Sequence, residues 1–255
     1  MADPSADGIP NVGVDYQNPA WRIFRIMSEF VEGFEFLARI HQSVTIFGSA
    51  RMPASHPYYH LARTVGQRLA ARGFTVVTGG GPGIMQAANQ GAFDVGGESI
   101  GLNIQLPHEQ RTNPYVRRGK SFHYFFSRKV MLDFSADAYV FFPGGFGTLD
   151  EFFELITLAQ TGKLHRSVPI ILMGTAYWRP LLAWIEQELL HTLHAIAPEN
   201  LTIWSLTDDV DEVVELVGAG MEAQRQHRLA SVGRVTKTAD DKLNQATQPM
   251  AETEQ

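Results

Sequence analysis

The sequence predicts an α/β protein, a Rossmann-like, doubly wound parallel sheet in a single domain with an extra N-terminal helix. Three observations predict it. Short apolar runs alternate with helical patterns from residue 44 onward, which is the signature of repeated βαβ units. The runs are nearly continuous in apolar residues, as strands covered on both faces must be. Hydrophobic residues make up 44% of the 255-residue chain and charged residues 19%, so there is material for a sizeable core.

The elements follow in order. Residues 1–17 are rich in Gly, Pro, Asp and Asn without periodicity and are expected to be a flexible arm. Asn18-Pro19 reads as a helix start, with Asn as N-cap and Pro at the first helical position. Ile23, Met27, Phe30, Phe34 and Leu37 then recur at helical spacing, Phe24 and Val31 widen that face, and Glu29, Glu32 and Glu35 lie off it. Such a face packs either on the core or on another subunit. Strands are expected at Val44–Phe47, Phe74–Val77, Ser99–Ile104, Phe122–Phe126, Ala138–Phe142, Pro169–Met173 and near Leu201–Trp204. Helices are expected at Pro57–Ala71, Ile84–Phe93, through Met131, from Thr148 to about Thr161, around Trp178–Leu189, and around Val210–Val217. The catalytic domain is therefore placed at 18–227, and the polar, aperiodic stretch 228–255 is expected to be a flexible tail.

Composition excludes several functions. There is no cysteine, so disulfides, thiolate catalysis and cysteine-held metals are ruled out. The net charge is −6 with no long basic run, which argues against nucleic acid as a partner. With neither a leader-like start nor a long apolar run, a cytoplasmic protein with no membrane partner is expected. His56 and His60, and His191 and His194, are spaced to share a helix face but lack a third ligand nearby in sequence, so no metal is expected.

The chemistry is expected where open parallel sheets bind ligands, outside the carboxyl ends of the strands. Four segments fall there: Gly48-Ser49-Ala50-Arg51, Thr78-Gly79-Gly80-Gly81-Pro82-Gly83, Ser127-Arg128-Lys129 and Pro143-Gly144-Gly145-Phe146-Gly147-Thr148. Glycines let backbone N–H groups approach an anion, and the helix N-terminus beyond adds partial positive charge. The dinucleotide spacing fails after Gly83 and no P-loop lysine pattern occurs, so a mononucleotide fits better than NAD or ATP. Thr148-Leu149-Asp150-Glu151 also has the form of a capping box. The sequence leaves Glu151 open as helix cap or as a carboxylate acting on the ligand.

Taken together, Gly79–Met85, Ser127-Arg128-Lys129 and the run from Pro143 to Glu151 resemble the LONELY GUY (LOG) family, over roughly residues 40–220. That family comprises phosphoribohydrolases of cytokinin riboside 5′-monophosphates and related nucleotides. The N-terminal helix, Leu106–Gln110 and Asn113-Pro114-Tyr115 match a longer subgroup better than the short plant-like members. The resemblance implies Arg128 and Glu151 as the catalytic pair. It implies Gly80, Gly81, Gly83, Gly145, Gly147 and Thr148 as the phosphate cradle, with Lys129, Ser49, Arg51 and Glu109 among the remaining substrate contacts. The expected substrate is a nucleoside 5′-monophosphate, a cytokinin nucleotide or AMP, cleaved to free base and ribose 5-phosphate without a cofactor. Subunit contacts near the site are implied too, hence a homo-oligomer, dimer or higher. The family resemblance also includes carriers, so a non-catalytic protein that binds a phosphorylated cofactor such as a pterin is the alternative.

Overall fold

A computed structural model describes residues 19–105, 112–164 and 167–226. The arm, Asn18, Leu106–Gln110 with Glu109, and the tail from 228 lie outside the described residues. Among the described residues seven strands form one sheet: β1 (Ser43–Phe47), β2 (Thr75–Thr78), β3 (Ser99–Ile104), β4 (Arg118–Phe122), β5 (Ala138–Phe141), β6 (Ile170–Met173) and β7 (Ser205–Thr207). Their order is β4-β3-β2-β1-β5-β6-β7, and every pairing is parallel. Strand order reverses between β1 and β5, so the crevice for a ligand opens above that pair.

Side chains alternate across the sheet and divide the core in two. Val44, Ile46, Val140 and Ile171 pack against α2 (Pro57–Ala71), α3 (Ile84–Asp94) and the helix α7 over 210–226. Phe47, Val77, Leu102, Tyr139 and Phe141 pack against α4 (Phe125–Phe134), α5 (Phe146–Gln160) and α6 (Thr175–Trp184), together with the end of α1 (Pro19–Leu37) at Leu37. Crossovers from β1 to β4 and from β5 to β7 run in opposite directions from the sheet's centre, which puts helices on both faces. No helix among the described residues is long and apolar enough to cross a membrane.

Three expectations about elements are corrected. The fourth strand is Arg118–Phe122, not Phe122–Phe126. It is a polar, mostly exposed edge strand, so no apolar run marks it. The aromatics after it begin α4, where Phe125 and Phe126 stay exposed. The last strand is Ser205–Thr207, because Leu201 and Thr202 belong to a 3₁₀ turn, Pro198–Thr202. Finally, α5 starts at Phe146, with Gly145 as its N-cap and no side-chain cap. Thr148 is thus inside the helix, its N–H bonded to Gly145 O at 3.0 Å, and the capping-box expectation fails.

Helix α1 behaves differently from an ordinary amphipathic helix. It docks through Gly33, where an added Cβ would lie 2.6 Å from Met131 Sδ, and through Leu37. Glu29, expected off the contact face, accepts hydrogen bonds from the main-chain N–H groups of His123 and Tyr124 and from the Ser127 hydroxyl. It therefore caps α4 from a distant part of the chain, and Glu32 pairs with Lys120. The aromatic face itself is left open, with Trp21, Phe24, Met27 and Val31 all more than half exposed.

Candidate active site

Three loops at the carboxyl ends of β1, β2 and β5 are tied together before any ligand is considered. Ser49 N–H donates to Pro143 O, and Ile84 N–H donates to Ser49 O, each at 3.0 Å. Tyr177 Oη donates to Gly144 O at 2.7 Å. Gly83 has φ +67°, and a Cβ there would lie 2.2 Å from Ser49 O, so only glycine allows the β1 and β2 loops to meet. Gly80 has φ +70° with the Asn103 amide oxygen in the Cβ position, and its N–H donates to Thr78 Oγ1 at 2.9 Å. Beneath this loop lies a closed polar network that sequence reasoning missed. Thr78 donates to Asn89, and Asn113 donates to Asn89 Oδ1 and to Gly81 O, both at 3.0 Å. Its signal in sequence was thin: asparagines inside apolar segments.

The loops wall a cleft of about 980 Å³, at the upper end of the range for small-molecule sites. Ser49, Arg51, Gly81, Arg128, Lys129, Gly145, Gly147, Thr148 and Glu151 all line it. Gly80 and Gly83 do not line it; they shape the turn behind it. Two helices, α3 and α5, present N-termini without side-chain caps at these loops. Ser49 O already takes the Ile84 N–H of α3, and the aligned helix dipole at each terminus favours an anion. Phe125, Phe126 and Phe146 bring exposed rings to the mouth.

The side chains from α4 and α5 give the cleft its chemistry. The Arg128 guanidinium is clamped by the sheet: Nε donates to Leu102 O at 2.7 Å and a terminal nitrogen reaches Gly79 O at 3.5 Å. Burial lowers its pKa and the Glu151 charge partly restores it. Lys129 Nζ lies 2.7 Å from Asp150 and 2.6 Å from Glu154. Burial pulls the ammonium down, but these bonds and the charges of Glu151 and Glu154 outweigh it and hold Lys129 above the ordinary lysine range. Glu151 is buried, and its Oε2 has no hydrogen-bond partner. Burial pushes its carboxyl up to about 7 against the pull of Lys129 and Arg128. Behind it sit Asp133 and Glu154, which sequence reasoning did not single out; the three carboxyls lie within 4.8 Å of one another. His56 is not part of any such cluster, since its Nδ1 accepts from Tyr58 N–H at 3.1 Å and caps α2.

Comparison with known proteins places this geometry among relatives. Residues 85–217 match a family model described as "Possible lysine decarboxylase". A cytokinin riboside 5′-monophosphate phosphoribohydrolase of Rhodococcoides fascians is 33% identical over 153 residues, covering 57% of this chain and 74% of the relative. The LOG enzyme of the same name from Oryza sativa subsp. japonica is 34% identical over 134 residues, covering 51% of this chain and 54% of the relative. The chain thus spans about half the length of that rice protein. Among solved structures, the molybdenum cofactor carrier protein of Chlamydomonas reinhardtii aligns with a TM-score of 0.52 at 21% identity, over 71% of this chain and 98% of its own. At that identity the likeness is one of fold.

Proposed function

The chain belongs to the family described as possible lysine decarboxylases, the LONELY GUY family, and from that premise we propose that it hydrolyses the N-glycosidic bond of a nucleoside 5′-monophosphate. The observation that carries the proposal is the meeting of Arg128 and Glu151 in one cleft with two glycine-loop helix N-termini that lack side-chain caps. Phosphate binds at the loops around Gly81, Gly145 and Gly147, with Thr148, Ser49 and Arg51 beside them. The ribose then lies toward Glu151. Cleavage passes through an oxocarbenium-like ribosyl centre. The Glu151 carboxylate stabilises that cation and activates the water that attacks it. Arg128 stabilises the negative charge that develops on the departing base. Water's hydroxyl ends on the ribose and its proton on the departing base, so the products are free base and ribose 5-phosphate.

Decarboxylation of lysine through a Schiff base fits these residues poorly. A Schiff-base lysine needs a neutral amine. Lys129 is instead held charged between Asp150 and Glu154. Its role in the proposed reaction is to balance the acidic cluster around Glu151.

The test is a panel of nucleoside monophosphates, cytokinin nucleotides and AMP included, assayed for free base. AMP or a related nucleotide is expected to turn over far faster than its nucleoside, because without phosphate the two helix N-termini have no anion to hold. Equal rates on AMP and adenosine would remove the phosphate site. Tight binding of a phosphorylated ligand with no base released from any nucleotide would return the carrier alternative.

We further propose that the protein works as a homo-oligomer, dimer or higher. The open face of α1 continues onto α4, where Phe34 meets Phe134 edge-on at 5.6 Å and Phe134 is 69% exposed. A contiguous aromatic surface of this kind marks a contact between chains, and two-fold assembly is the commonest way to cover it. Light scattering at micromolar concentration is expected to give at least twice the mass of one chain. A monomer mass there would sink the idea.

A further inference from the structure

Two buried carboxyls and a third that is partly exposed outnumber the two cations beside them. Asp133, Glu151 and Glu154 bring oxygens within 4.8 Å of one another; Lys129 pairs directly with Glu154, and the Arg128 charge also pulls on Glu151. Among the described residues no donor reaches the buried Asp133 Oδ1 or Glu151 Oε2. Asp133 is buried and is not among the residues that wall the cleft. A carboxylate oxygen in this condition is costly. Like charges packed this closely do not all ionise. What is missing at the centre of the cluster is a hydrogen, and the cluster itself can hold one.

We propose that Asp133 carries a proton in the folded protein and donates it into the Glu151–Glu154 pair, making Asp133 a positioning residue that keeps Glu151 in its working orientation and charge. The inference rests on the hydrolase reading for what Glu151 does, but not for where the proton sits. The groups facing Asp133 are few. From α5 come Glu154 and Glu151; from its own helix comes Lys129; from β5, Tyr139 donates its hydroxyl to the Asp133 main-chain oxygen. On α1, Glu29 is spent at the far end of α4, on Ser127 and the turn before it. Burial, then the charges of Glu154 and Glu151, push the Asp133 carboxyl up to about 8, with Lys129 opposing. A neutral Asp133 matters for Glu151 because an ionised one would add a second negative charge beside it and hold Glu151 protonated. Glu151 would then lose the carboxylate that hydrolysis requires. A metal ion is the poorer occupant, since the Lys129 ammonium already sits 2.6 Å from Glu154.

The consequence for stability has a definite sign. The folded protein binds the Asp133 proton more tightly than the unfolded chain does, from the ordinary value of 3.8 up to about 8. Stability therefore falls as pH rises across that window. Glu151 adds a similar fall up to about 7. In Asp133→Asn one of these two protons is gone, and the drop in Tm between pH 5 and pH 8 is expected to shrink by about half. The same drop in the variant as in the wild type would overturn the proposal. If Asp133→Asn does not fold, carbon-13 NMR of wild-type protein labelled at the aspartate carboxyls reads the proton directly. One aspartate titrating above pH 7 is expected, and all of them titrating in the ordinary range would overturn it. The positioning role is read from the pH profile of nucleotide hydrolysis. Asn keeps a donor, so its acid limb stays near that of the wild type. Asp133→Leu has none, and its acid limb moves to higher pH by roughly one unit. Identical limbs in the two variants remove the role. Absence of hydrolysis with every nucleotide would instead defeat the functional reading, while the melting and NMR measurements would still decide the proton.

Discussion

Glu151→Gln is expected to lower turnover by roughly a hundredfold or more, the scale on which positioned acid–base groups act, while the protein stays folded. The structural role that the sequence allowed for this residue is gone, because α5 begins at Phe146 and Glu151 lies well inside it. Gln therefore costs no cap. It keeps the shape and removes only the charge. Burial already opposes that charge, holding the carboxyl near 7, so the neutral amide is not a burden on the fold. The pH dependence follows from the same shift. If the carboxylate is the working form, kcat/KM rises with pH through about 7 in the wild type and the residual rate of the Gln variant loses that limb. The stability signature runs the other way. The wild-type carboxyl, raised from 4.5, favours the folded state most at low pH and gives up that advantage as pH approaches 7. Near-normal turnover in Glu151→Gln would leave the chemistry without its carboxylate.

The parts of this site that were legible in the sequence are those written in local chemistry. Glycine runs after apolar strands announced the loops, and the Ser127-Arg128-Lys129 and Pro143–Glu151 motifs announced the residues that share the cleft. What stayed hidden depended on burial or on distant partners. Asp133 stands four residues after Lys129, and Glu154 four after Asp150, spacings that read equally well as solvated pairs on a helix surface. Only the meeting of α4 with α5 brings their oxygens together with Glu151 in a partly buried cluster. Glu29 was invisible for the same reason, since its partners lie about ninety residues away. Edge strands escaped because β4 and β7 have one neighbour each and lack the apolar run that marks β1 or β5. The early start of α5 escaped because Gly145-Phe146-Gly147 reads as a loop, glycine being a poor helix former, and Thr148 after it looked like the cap.

Arg128→Lys is the second substitution with a large expected effect, a loss of about a hundred- to a thousandfold in kcat, the scale for removing one preorganised donor from a site of developing charge. The alternative is a plain one. Arg128 hydrogen-bonds Leu102 O and Gly79 O, so it could serve only as a brace between β3 and the loop after β2. The two roles part company in kinetics. A guanidinium is a planar fork: one edge can stay on the backbone carbonyls while another faces the cleft that it lines. Lysine offers a single ammonium and can satisfy the carbonyls or the substrate, not both. As a brace it would keep most of the stability, and kcat would follow. As the stabiliser of a departing base it would fail in kcat with a much smaller change in KM, because the charge it answers exists only in the transition state. The base itself supplies a control. Substrates with better leaving groups need less help at that position and should lose less in the variant than AMP does. A Lys variant within a few-fold of wild type on every substrate would make Arg128 a structural brace, and would leave the departing base with no assigned partner.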